Sequence, residues 1–136
     1  MTSQDIKGIW SVDCMYEPGA QGDERVIFQE NGFGWIEIMN WGSISIETFH
    51  WTIENARLNI KGELCLSNDE ETEPSSLNLA GVEFFVAEEL TPSGKTMTVI
   101  NFSEAICMFN NKFGLIKKDV EADLFVKRKK LVEHEI

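Results

Sequence analysis

The chain predicts an all-β fold, a single antiparallel up-and-down β-barrel or strongly curved sheet of eight to ten strands, and three observations carry that expectation. Apolar and polar residues alternate with period two along most of the length, as in half-buried strands. Short clusters of Gly, Pro, Asn and Asp separate those runs at close intervals. No long segment has helical spacing, and the sequential hairpins leave no room for the crossovers of a parallel sheet. Closure would remove the exposed edges of such a meander.

The first strand is read over 6–16, where Ile6, Gly8, Trp10, Val12, Cys14 and Tyr16 alternate with Lys7, Ser11 and Asp13; Ile9 and Met15 are exceptions. Residues 17–23 form a Pro- and Gly-bearing loop before a second strand at 25–29. Asn31-Gly32 then marks a hairpin, because both residue types tolerate positive φ, and a third strand follows at 35–40. Trp41-Gly42 turns into a long fourth strand, 43–53. There the apolar set changes phase, from Ile44 and Ile46 to Phe49, Trp51 and Ile53, which predicts a β-bulge near Glu47-Thr48. After a tight turn at 54–56, a fifth strand spans 57–66, with Gly62 interrupting its row of Leu and Ile as at a kink or a close approach of another backbone. Residues 67–76 read as a mobile acidic loop. Strands resume at 77–90 and, past Thr91-Pro92-Ser93-Gly94, at 95–102. Residues 104–109 fit either one helical turn or a strand paired with 112–116, the hairpin being preferred. A final strand is expected at 123–130, followed by a short charged tail at 131–136.

Length and composition fit one domain over residues 1–136, with enough apolar content at 43% to form a single core. No apolar stretch approaches the roughly 20 residues of a membrane span, so none is expected. The start shows no basic segment followed by an apolar one, so no secretory signal is visible and cytoplasm is the expected compartment. Cys14, Cys65 and Cys107 are widely spaced and odd in number, which supports neither a disulfide framework nor a CxxC site; each is read as a reduced, apolar core residue. The formal net charge of −11 argues against nucleic acid as a partner. Charge is also unevenly placed. Residues 62–94 hold eight carboxylates and no Lys or Arg, whereas seven of the twelve basic residues lie between Lys112 and Lys130. Such a split predicts faces or strands of complementary sign.

Lys7-Gly8-Ile9-Trp10 at the head of the first strand resembles the GxW signature of the calycin superfamily, which includes the lipocalins. Phe49-His50-Trp51-Thr52-Ile53 resembles a mid-barrel strand, and Leu124-Phe125-Val126-Lys127-Arg128 the last strand, of small bacterial lipocalin-like proteins. The resemblance covers about a third of the positions. It implies a closed barrel whose GxW tryptophan, Trp10, packs across one end against a basic residue of the last strand, Arg128, as a structural plug. A cation over an indole face is attracted by the ring quadrupole. Two features depart from the family: the second lipocalin signature is absent, and too little chain follows the expected last strand for the usual packed helix. The resemblance therefore bears on fold more than on ligand.

No residue set carries a catalytic mechanism, and no enzyme activity, metal or cofactor is expected. His50 has no Ser, Cys or second His at a readable spacing, so it is read as structural or solvent-facing. The acidic run 69–73 lacks the alternating ligand positions and central Gly of a calcium loop. Aromatics are more informative: Trp10, Phe28, Trp35, Phe49, Trp51, Phe84 and Phe102 fall where they can point inward. They either pack a filled barrel or line a cavity. Taken as lining, Trp35, Phe49, Trp51, Phe84 and Phe102, with Trp41 at the mouth, are the candidate ligand-binding residues. The expected function is a non-enzymatic binding protein holding a small hydrophobic ligand; the alternative is an acidic module of inhibitor or immunity type that engages a basic protein.

Overall fold

Phe28 and Phe102 show how this sheet bends. Their ring centroids lie 6.4 Å apart, although their strands are three positions apart in the hydrogen-bonded order. A flat sheet would separate them by about 14 Å, at nearly 5 Å per strand. The computed structural model describes residues 6–16, 22–40, 43–67, 72–106 and 110–134. They form β1 (Gly8–Ser11), a 3-10 turn (Asp13–Met15), β2 (Gly22–Phe28), β3 (Phe33–Asn40), β4 (Ser43–Glu54) and β5 (Arg57–Ser67). Then come β6 (Glu73–Pro74), β7 (Asn78–Val82), β8 (Phe84–Leu90), β9 (Thr96–Phe102), β10 (Lys112–Lys117) and a helix, α1 (Leu124–His134).

Every ladder is antiparallel, as the hairpin pattern requires. The order is β6-β5-β4-β3-β2-β1-β10-β9-β8, with β7 also paired to β5. Among the described residues no ladder joins β8 back to β5, so their hydrogen bonding leaves the sheet open rather than closed. Its two margins are instead linked through the chain, since β7 on β5 and β8 on β9 are separated by Glu83 alone. The run 77–90 was expected as one strand; it changes neighbours midway, next to Gly81 at φ 67.

One apolar cluster fills the inner face and takes a residue from every strand except β6, among them Trp10, Val26, Phe28, Ile36, Phe49, Trp51, Leu58, Val82, Phe84, Ile100, Phe102 and Phe113. A second cluster covers the outer face of β2 to β5: Ile27, Trp35, Ile44, Ile46 and Leu66, roofed by Leu124 and Phe125 of α1. The final strand expected at 123–130 is therefore a helix, packed on the sheet. Leu124, Phe125 and Arg128 fall at i, i+1 and i+4, and the intervening Lys is a good helix former.

The helix also explains the apolar phase change in β4. Register shifts between Glu47 and Phe49, as the bulge predicts, but the extra residue belongs to β5: two steps along β4, from Glu47 to Phe49, face three along β5, from Cys65 back to Gly62. β4 keeps its parity throughout. Ile44 and Ile46 face out beneath α1, and Phe49 and Trp51 face in, because both sides of this strand are buried.

The first strand is shorter than alternation suggested. Asp23 accepts hydrogen bonds from the Ser11 hydroxyl (2.8 and 2.9 Å) and the Asp13 N–H (3.0 Å), and Ser11 Oγ accepts from the Cys14 N–H (3.2 Å). These bonds turn the chain into the 3-10 segment. Residues 103–106 form no strand, while β10 pairs with β9 and β1 rather than with 104–109; residues 107–109 lie outside the described part. Within the expected acidic loop Glu73–Pro74 forms β6, which pairs with Leu64 and Cys65; residues 68–71 lie outside the described part. The charge split is partly realised across β8–β9–β10, where Lys112 Nζ meets Glu89 Oε1 at 2.9 Å. That bond, with one from Asn101, holds the Glu89 carboxyl below its ordinary pKa.

Two hairpin turns use different chemistry. At Gln29–Phe33 the Gly32 N–H bonds to the Gln29 carbonyl, Gly32 takes φ 85, and Asn31 Oδ1 accepts from the Phe33 N–H. Between β4 and β5, Asn55 (φ 53) and Ala56 (φ 61) form a two-residue turn with both residues left-handed. Alanine costs about 1 kcal/mol in that region. Ala56→Gly is expected to raise stability by about 0.5 kcal/mol, the gain being reduced by the larger unfolded-state entropy of Gly. The midpoint of urea denaturation is the measurement that checks it.

Candidate functional site

Inner-facing side chains change character along β3, β4 and β5. Around Phe49 and Trp51 they are rings packed on rings: Phe28 meets Phe49 at 5.7 Å and Trp51 at 5.4 Å, edge to face. Towards the end of β3 and the start of β4, Ile36 pairs with Glu47 and Ile38 with Ser45. Across the next ladder, Glu47 pairs with Cys65 and Ser45 with Ser67. Directly paired residues share a face, so these six project to the same side as the inner core. They line a cleft of about 160 Å3, with Glu73 of β6 at its border.

Glu47 is the centre of this cleft. Its Oε2 accepts hydrogen bonds from Ser75 Oγ at 2.5 Å and Cys65 Sγ at 3.4 Å. Ser75 reaches it because the segment after β6 crosses β5 at Gly62: the Gly62 N–H bonds to the Leu77 carbonyl (2.7 Å) and the Ser75 N–H to the Glu63 carbonyl (2.9 Å). A Cβ on Gly62 would collide with Ser75 Oγ. The close approach expected at this glycine is thus the strap that fixes Glu47.

Burial raises the Cys65 thiol above its ordinary pKa, and the Glu47 charge and hydrogen bond raise it further. Less thiolate is then present at neutral pH, and the thiolate is the nucleophile. Iodoacetamide labelling of Cys65 at pH 7, followed by peptide mass mapping, is expected to run slower than that of an unhindered thiol. Glu47→Gln removes the negative charge and should accelerate labelling; an unchanged rate would contradict the assignment. Cys14 is also free, and burial raises its thiol pKa as well. Cys107 lies outside the described residues.

The candidate ligand-binding aromatics divide into three groups. Phe49, Trp51, Phe84 and Phe102 come together in the inner core, none more than 9% exposed, so they fill the interior rather than line a void. Trp35 is on the outer face, against Phe125 of α1 at 5.2 Å, with its Nε1–H donated to Glu37 Oε2 at 2.7 Å. Trp41 lies outside the described residues. The plug pair is held by separate partners. Trp10 is fully buried in the inner cluster and donates Nε1–H to the Ile6 carbonyl at 2.8 Å. Arg128 is on α1, with Nε 3.3 Å from Glu37 Oε2, and Glu37 is 1% exposed. This ion pair pins the helix over the outer cluster.

His50 is solvent-facing, 3.0 Å from Glu63, both side chains being well exposed. Among the described residues no group of three or more His, Cys, Asp or Glu side chains is placed to hold a metal ion. Nor is any helix among them long and apolar enough to cross a membrane.

Sequence reading missed Ser45, Glu47, Cys65 and Ser67 as a set. A signal existed: Ser45 and Glu47 share the odd parity of Phe49, Trp51 and Ile53, which places a carboxylate in the inward-facing row. Reading a phase change into β4 concealed it. No protein-family model, curated protein or solved structure matches the chain.

Proposed function

We propose that the protein is a non-enzymatic binding module, a calycin-like barrel that takes a small ligand in the cleft around Glu47. The observation that supports this reading is the change along the inner face, from close-packed rings to an open cleft with few, converging polar groups, the usual make-up of a ligand site. The sheet's curvature and the chain link between its margins suit a barrel. The GxW-like Trp10 lies in the filled interior, away from the ligand. Free thiols at Cys14 and Cys65 suit a reducing compartment such as the cytoplasm.

A cleft of about 160 Å3 is small beside the roughly 300–1,000 Å3 of sites for drug-sized molecules. That size suits a compact body better than a long-chain fatty acid or a retinoid-like molecule. Titration of 15N-labelled protein with a library of small fragments tests the reading. Amide shifts confined to 36–38, 45–47 and 65–67 support it; a library that leaves these amides unmoved sinks it.

A second reading, an acidic module for a basic protein, draws on β8. Among the described residues this strand pairs with β9 alone, and Phe85 and Leu90 on it are 55% and 74% exposed. A free edge of this kind can accept an added strand. Salt-dependent capture of a cationic protein, lost on substitution of Phe85, is its test.

A further inference from the structure

We infer that the cleft selects a small organic cation, an amine or amidine on a short apolar body, through the Glu47 carboxylate. The inference rests on the reading of the cleft as the ligand site and adds the class of molecule. Three features of the lining carry it. The first is a supply of acceptors without counter-charge: Glu47 faces in, Glu73 borders the cleft, and Ser45 and Ser67 add hydroxyls, while no Lys or Arg contributes to the wall. The deficit extends further, since residues 62–94 contain no basic side chain at all. An anionic ligand would meet only repulsion here, and a neutral one would leave the carboxylate without a charged partner.

The second feature is preorganisation. Glu47 Oε2 is fixed by the Ser75 hydroxyl at 2.5 Å and approached by the Cys65 thiol at 3.4 Å. Both are neutral donors, so they orient the carboxylate without cancelling its charge. Its Oε1 is left to accept from a ligand, and hydrogen bonds between ionised groups are about twice as strong as neutral ones. The strap over Gly62 that carries Ser75 keeps this geometry from depending on a mobile side chain alone. The third feature is the apolar wall. Ile36 and Ile38 stand across the ladder from Glu47 and Ser45, so a carbon skeleton lies against isoleucine while its charged end reaches the carboxylate. Cleft size limits that skeleton to a short branched chain or a single ring.

The test compares isosteres of opposite and zero charge: isobutylamine and benzylamine, the corresponding alcohols, and isovalerate and benzoate. Each is titrated at pH 7 and low salt while the amides of 45–47 and 65–67 are followed by 15N NMR. The amines are expected to bind at least tenfold more tightly than the alcohols, and the carboxylates not to bind. Glu47→Gln, which retains an acceptor for Ser75, should abolish the preference for amine over alcohol. Equal affinity for amines and alcohols, or an amine preference that survives in Glu47→Gln, overturns the inference and leaves the cleft as a ligand site. Failure of all six probes to move these amides, in a protein whose spectrum is otherwise folded, overturns the cleft reading itself.

Discussion

Gly34→Ala is expected to destabilise the domain by about 3 kcal/mol, at the upper end of what overpacking a filled core costs. A Cβ at this position would stand 2.5 Å from the Ile27 carbonyl oxygen and 2.5 Å from Cε1 of the Phe49 ring. Neither neighbour can give way. The carbonyl belongs to the β2 backbone, and Phe49 is fully buried, edge-on to Phe28. The glycine exists so that the Phe49 ring can lie over the β3 backbone, and the aromatic interior depends on that approach. Urea denaturation should show a lower midpoint at unchanged slope. A change below about 0.5 kcal/mol would mean that the ring is not seated there.

Arg128→Ala should be the next most damaging, by about 2–4 kcal/mol. Removing one member of a buried ion pair leaves the other charge uncompensated, at about 3–5 kcal/mol when burial is complete, and Arg128 is 24% exposed. Glu37 would keep only the Trp35 indole N–H, and its Oε1 already lacks a hydrogen-bonding partner. The loss should be corrected in part by a second change, Glu37→Gln, which removes the stranded charge. Additive losses in the double variant would show that the two residues do not interact. Near-UV circular dichroism of Trp35 distinguishes local release of the helix from global unfolding.

Most strand positions were legible because turns announce themselves locally: Asn31-Gly32, the turn at 54–56 and Thr91-Pro92-Ser93-Gly94 each join adjacent antiparallel strands. What the sequence hid was long-range. Alternation reports whether a strand has one wet face, and β4 has none beneath α1, so Ile44 and Ile46 imitated a slip of register. Residues 123–130 read as a strand because a partly buried helix this basic shows little amphipathic contrast. Arg128 was drawn to Trp10 by resemblance, when the acid that holds it, Glu37, is invisible as a buried residue until the helix is placed over it. The cleft was half legible, through the inward parity of Glu47. Ser75 was not, since nothing local says that the segment after β6 crosses β5 at Gly62.

The margins of the sheet give the uneven charge a meaning beyond solubility. Glu63, Glu73, Glu83, Glu88 and Glu89 fall on or beside β5, β6 and β8, where the ladder runs out. Two copies approaching edge to edge would bring carboxylates against carboxylates, with Arg57 and Lys112 answering only Glu83 and Glu89. An intruding strand with basic side chains would meet no such barrier. On the reading of β8 as an edge for a basic protein, these same carboxylates would favour a strand of opposite sign over a second copy of the chain.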